Sequence, residues 1–236
     1  MGWGTSSGSV TSAYKGGDEY SAEDDLNLYA IWQANTYAIT YLDKGGNAFS
    51  GNHESGYPVT HTYGITKALK GASKTGYDFK GWFLNENCTG AALTTLGAKD
   101  YVNDITLYAL FEAQTYNIQY LDQGGKVFSG IHASGYPTTH TYDEETVLLE
   151  ASKKGYEFKG WFEDSNCAGT PITKLEATEY TSDITLFAKW NVLFYTLTLE
   201  KSEGIAEVGG AGTYAYNTTV NIFATTSLGY AWHEWQ

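Results

Sequence analysis

The 236-residue chain reads as a string of small, mostly β or α+β domains. Three observations carry that reading. The sequence repeats itself at an interval of 79 residues. Its apolar residues alternate with period two in short runs, the mark of half-buried strands. Its composition is rich in aromatics (16%) and glycine (27 residues) but low in charge (17%). That suffices for buried cores and is too apolar for a disordered tail.

The repeat sets the domain boundaries. Tyr37 aligns with Tyr116, Gly56-Tyr57-Pro58 with Gly135-Tyr136-Pro137, His61 with His140, Trp82 with Trp161 and Cys88 with Cys167, without a gap. Extending the register backwards pairs Gly2-Trp3 with Gly81-Trp82, and Asp25, Leu28 and Ala30 with Asp104, Leu107 and Ala109. Forwards, Gly155-Tyr156 returns as Gly229-Tyr230 after a net loss of five residues, and Trp161 as Trp235. The expected organisation is the second half of a repeat (1–33), two complete repeats (34–112 and 113–191) and the first half of a shorter one (192–236). This points to a segment of a longer array.

Within one unit, residues 37–43 alternate Tyr37, Ile39 and Tyr41 on one face, and Gly45-Gly46 ends the run. A Gly/Ser/His loop follows, then a second extended piece over 57–63. Residues 65–72 fit a helix or a strand, and the alternation of Val220, Ile222 and Ala224 in the last unit favours strand. At 76–83, strict alternation predicts Tyr77, Phe79, Gly81 and Phe83 on one face and Asp78, Lys80 and Trp82 on the other. Residues 84–103 read as a turn-rich crossing with room for one helical turn. Residues 104–111 are the clearest strand, with Ile105, Leu107, Ala109 and Phe111 in step. Only residues 113–115 separate one unit from the next, so an elongated, semi-rigid string is expected.

Composition also excludes. All 14 basic residues are lysines, against 27 acidic ones, for a net charge of −13. Without arginine's planar fork, and with a repelling field, nucleic acid, nucleotide and anionic membrane are poor partners. No run of about 18 apolar residues exists, so no membrane-spanning helix is expected. The N-terminal residues lack the basic head and apolar run of a signal peptide.

Chemical motifs are few. Gly4-Thr5-Ser6-Ser7-Gly8 matches the nucleophile-elbow pattern, yet no helix pattern follows it, so it reads as a loop. His53, His61 and Glu54 lie close in sequence, but Glu54 becomes Ala133 in the next unit, so no metal site is expected; a solvent-facing or interface role is. Asp104 and Asp183 read as turn residues rather than calcium ligands. Cys88 and Cys167 read as small buried or half-buried thiols. The motif tryptophans Trp3, Trp82, Trp161 and Trp235 read as core. The candidate ligand contacts are the loop tyrosines Tyr57, Tyr63, Tyr136 and Tyr142, with His61 and His140. No catalytic residue and no cofactor is expected.

The joint pattern of Tyr-x-Ile-x-Tyr, Gly-Gly, Gly-Tyr-x-Phe-x-Gly-Trp-Phe and Asp-Ile-Thr-Leu-Tyr/Phe-Ala resembles the Listeria–Bacteroides repeat, or internalin B-repeat. The resemblance covers both complete units and the first half unit, while 192–236 is similar to shorter bacterial repeats of the same group. It departs at Phe111, where the family more often carries Trp. The resemblance implies a β-grasp-like (ubiquitin/SUMO-like) fold and no catalysis. It also implies residence in a secreted or surface-anchored bacterial protein, as a stalk or adhesion module that presents a binding domain. The partner is then a surface protein or glycan, and a glycan- or peptide-binding module using the loop tyrosines is the alternative. The two half units further predict head-to-tail self-association by strand complementation.

Overall fold

The computed structural model describes residues 2–231 and 233, so the expectation placed on Trp235 lies outside the described residues. The chain forms two compact units, Met1–Glu112 and Ala113–Gln236. Among the described residues, regular structure is almost all strand, with one short 3-10 turn at Lys44–Gly46.

Each unit contains one complete repeat built on the same sheet. In the first, the strands are Thr36–Asp43, Thr60–Thr62, Tyr77–Phe83 and Ile105–Ala113. Taken in chain order as first to fourth, they lie in the spatial order second, first, fourth, third. The first and fourth run parallel in the centre, with Ile39 opposite Ile105 and Tyr41 opposite Leu107. The second strand is antiparallel to the first, placing His61 opposite Tyr37. The other unit repeats this with Thr115–Asp122, Thr139–Thr141, Tyr156–Phe162 and Ile184–Val192. There Ile118 faces Ile184 and His140 faces Tyr116. Of the five extended segments expected in the first repeat, four supply the strands of its sheet, 57–63 only over Thr60–Thr62. The fifth, 65–72, forms just two-residue strands at Lys67–Ala68 and Ala72–Ser73, and residues 84–103 hold Thr95–Leu96, paired with Lys67–Ala68, and no helical turn.

One expectation needs correcting. The third strand does not alternate to its end. In the second repeat its register slips between Phe158 and Trp161, which face Trp190 and Ala188. One extra residue in the strand reverses the parity beyond it. Phe158 and Trp161 therefore share a face, with ring centroids 5.2 Å apart, and the same pair in the first repeat, Phe79 and Trp82, lies at 5.1 Å. The slip is made by Gly81 and Gly160, whose φ of 125° and 116° lie where other residues rarely go.

The cores follow from this. Ile39, Trp82, Leu96, Ile105, Leu107 and Ala109 are buried together in the first repeat. Ile118, Leu148, Trp161, Leu175, Ile184 and Leu186 do the same in the second. Burying each such large side chain stabilises by about 1.5–3 kcal/mol. Each core tryptophan also satisfies its N–H, Trp82 on the Lys70 carbonyl at 2.6 Å and Trp161 on that of Leu149 at 2.8 Å.

The half units are smaller. Residues 2–33 hold a sheet in which Gly2–Gly4 is flanked by Tyr14–Lys15 and Tyr29–Ile31. Trp3 faces Ala30 there as Trp161 faces Ala188 in the whole repeat. Beyond Leu193, Phe194–Leu197 pairs with Gly212–Ala215, and Ile205–Gly209 with Phe223–Thr226.

Candidate functional site

The feature that both complete repeats share on their cores is a stack of rings around a histidine. Asn52–His53 pairs with Ala72–Ser73, which brings the loop back over the sheet. His53 then lies between Phe49 (4.2 Å, 24°) and Tyr57 (3.8 Å, 8°), and stacks over Trp82 at 5.6 Å. Tyr41, from the first strand, meets His53 edge-on at 4.6 Å and donates its hydroxyl to the Pro58 carbonyl at 2.6 Å. The second repeat copies the arrangement: His132 lies between Phe128 (4.2 Å) and Tyr136 (3.8 Å), and Tyr120 donates to Pro137 at 2.7 Å.

The stack sets the protonation of its members. Burial disfavours the charged imidazole and lowers both His53 and His132 below the usual 6.5. Burial, with Tyr57 adding to it, pushes the Tyr41 hydroxyl up to about 12. Tyr120 is raised for the same reasons, Tyr136 being its neighbour. Burial thus favours the neutral imidazole, held between two ring faces beside a phenol that keeps its proton.

The expected ligand contacts do not form one group. Tyr57 and Tyr136 belong to the stack. His61 and His140, expected to face solvent or an interface, are instead fully buried, each 0% exposed. They point into the sheet because their strand pairs with Tyr37 and Tyr116, and each meets a tyrosine edge-on, Tyr101 at 5.8 Å and Tyr180 at 5.4 Å. His140 shares a hydrogen bond with the Thr146 hydroxyl at 2.8 Å, and burial lowers its pKa against the opposing pull of Glu144. Tyr63 is part-exposed after the second strand, its N–H donating to Asn35, and Tyr142 is half-buried, its N–H donating to Gln114. Among the described residues no group of three His, Cys, Asp or Glu side chains gathers as metal ligands would.

Two other expectations resolve in detail. Asp104 and Asp183 accept hydrogen bonds at 2.8 Å from the N–H of Ala38 and Asn117, so each ties the entry of the fourth strand to the first. Cys88 and Cys167 are buried, and burial raises both thiols. The Gly4–Gly8 segment is a tight turn in which Ser6 and Ser9 bond each other at 2.9 Å, with no helix after it.

A buried polar cluster was not anticipated. Asp122 accepts from the Trp190 indole at 2.8 Å and from the Ser129 hydroxyl, to which Lys153 also donates at 2.7 Å. Lys153 lies 4.3 Å above the Tyr156 ring. In the first repeat Asp43 keeps Ser50 at 2.5 Å, but Phe111 replaces the indole and Asp43 Oδ1 is buried without a partner. The recurrence of Asp-x6-Ser at 43–50 and 122–129 was the available signal.

Comparison with known proteins matches two stretches, 37–110 and 116–189, to the family described as the Listeria-Bacteroides repeat domain. Two proteins of Evansella cellulosilytica are similar. One, provisionally named a Gly-rich membrane protein, is 30% identical over 86% of this chain and 22% of its own length. The other, provisionally named a membrane protein, is 29% identical over 76% of this chain and 24% of its own. The chain thus spans under a quarter of either relative. No solved structure matches.

Proposed function

The chain belongs to the Listeria-Bacteroides repeat domain family, and from that membership we propose that it is a non-catalytic spacer and adhesion module of a bacterial cell-envelope protein. Its β-grasp-like domains follow one another as a semi-rigid string that carries a binding domain outward. The mixed sheet with a parallel central pair supports the β-grasp part of this reading. The relatives' names, both membrane proteins, support the envelope.

The observation that carries the spacer reading is the joint between the second repeat and the piece after it. Leu193 is the one residue between the strands Ile184–Val192 and Phe194–Leu197. Its N–H donates to Gly155 and its carbonyl accepts from Tyr216, both at 2.8 Å. The Tyr216 ring covers Gly155, where a Cβ would come within 2.0 Å of it, and meets Tyr156 edge-on at 6.2 Å. A joint with one residue of slack, closed by two hydrogen bonds and an aromatic plug, transmits direction. Many weak contacts along such a string then add by avidity.

Small-angle scattering tests this. A compact particle of this length would have a radius of gyration of about 18 Å, and a string must exceed it clearly. Tyr216→Ala should broaden the distance distribution without unfolding either repeat. A compact wild-type particle would end the spacer reading.

A further inference from the structure

We propose that each complete repeat is a tension-bearing unit, whose parallel central strands resist a pull along the chain in shear. This deepens the spacer reading, and rests on it, by giving the string a load to carry. The chain enters and leaves each repeat through its central strands. The first strand opens the unit and the fourth closes it, at Thr36–Asp43 and Ile105–Ala113 in the first repeat and at Thr115–Asp122 and Ile184–Val192 in the second. Only Gln114 separates the fourth strand of the first repeat from the first strand of the second. Only Leu193 follows the fourth strand of the second before the next strand begins. Tension in the chain therefore reaches the start of a first strand and the end of a fourth with almost no slack to take up.

Those two strands are parallel neighbours, so a pull at these two points drives them past each other along their axes. Five register positions are loaded together, from Ile39 on Ile105 to Asp43 on Ala109, and from Ile118 on Ile184 to Asp122 on Ala188. A slide of one residue, about 3.3 Å, breaks every bond of the pair at once. In an antiparallel pair the same two points would lie side by side, and the same pull would open the bonds one at a time. Ile39, Ile105, Leu107 and Ala109 are buried over this stretch, as are Ile118, Ile184, Leu186 and Ala188. Water therefore has no access from the core side to replace the bonds as they stretch.

Side chains tie the same two strands at their ends. At the entry, Asp104 accepts from the Ala38 N–H and Asp183 from the Asn117 N–H, both at 2.8 Å. The Asn117 side-chain amide also donates to Asp183, at 3.3 Å. At the far end of the second repeat, the Trp190 indole donates to Asp122 at 2.8 Å and the Gln123 N–H to the Ala188 carbonyl at 3.0 Å. Asp122 is buried, so the indole bond is a charge-assisted contact shielded from water. The first repeat has Phe111 in place of Trp190 and lacks that latch, so the second repeat is the stronger of the two. Units of this kind keep the length of a loaded string constant until the load is high, and then yield one repeat at a time.

Single-molecule force spectroscopy on the second repeat, within the full chain, tests this. Handles are attached through pairs of introduced cysteines at exposed positions, Cys88 and Cys167 being buried. Thr115→Cys with Asn191→Cys loads the central pair in shear. Thr115→Cys with Ser182→Cys pulls both strands at their starts and peels them apart. Either pair should release about 24 nm of chain. At one loading rate the sheared pair should withstand about twofold or more the force of the peeled pair, since forced unfolding reads the barrier along the direction of pull. Trp190→Phe should speed unfolding under a fixed shear load about tenfold, as loss of one hydrogen bond to a buried charge would. It should leave the peeling force unchanged, because that latch is reached last from the other end. A substitution that merely weakened the fold would move both. Equal forces in the two geometries, or an equal effect of Trp190→Phe in both, would overturn the proposal. A compact particle in scattering would end the spacer reading without altering either force, so the two failures are separate.

Discussion

At the scale of single residues, the two repeats form a natural double experiment on one hydrogen bond. Trp190 satisfies Asp122, while Phe111 leaves Asp43 Oδ1 buried and unpaired. The site around the ring is otherwise matched, because Gly51 lies under Phe111 as Gly130 lies under Trp190, each with no space for a Cβ. Phe111→Trp should therefore raise stability by about 1–2 kcal/mol, and Trp190→Phe should lower it by about 1–3 kcal/mol, read as a shift in denaturant midpoint. Equal and negligible effects would mean that Asp43 is satisfied in another way. The histidines set a pH dependence with a definite sign. His53, His132 and His140 have folded pKa values below 6.5, so the unfolded chain binds more protons between the two values. Stability from these groups is complete above about pH 6.5 and is lost as pH falls through their folded values. The melting temperature should drop between about pH 7 and 5, and His53→Phe with His132→Phe should flatten that slope. A slope unchanged by the double substitution would assign it elsewhere.

At the scale of elements, the third strand shows how one glycine redirects a pattern. Period-two alternation located the strand but put Trp82 on the wrong face, because a bulge leaves no trace in apolar spacing. The available sign was Gly81 itself, alone inside a strand of aromatics. Its φ of 125° and an Ala92 methyl 2.5 Å from where a Cβ would stand both require glycine. Gly81→Ala should cost about 2–4 kcal/mol, and Ala92→Gly in the same chain should recover only the steric share. Full recovery would show that the backbone conformation carries no strain. The same limit explains the histidines. His61 and His140 sit in runs of threonine and tyrosine that read as exposed, and only pairing with the first strand reveals that their side chains face inward.

At the scale of the whole molecule, a repeat is a unit that buries its core by pairing its own first and fourth strands across a long stretch of chain. Each complete repeat therefore closes on itself, with its first and fourth strands parallel at the centre of its sheet.

The sequence by itself determined the period, the strand positions and the family, because these depend on local alternation and on recurrence, which chain order records directly. It also determined the sign of the net charge, −13 with lysine as the only strong base, which holds whatever the fold. Only the tertiary structure decided which faces are buried, which polar atoms are paired and which edges stay open. Those depend on partners roughly 20 to 70 residues away, brought together by pairings such as Ile39 with Ile105 that no local pattern encodes.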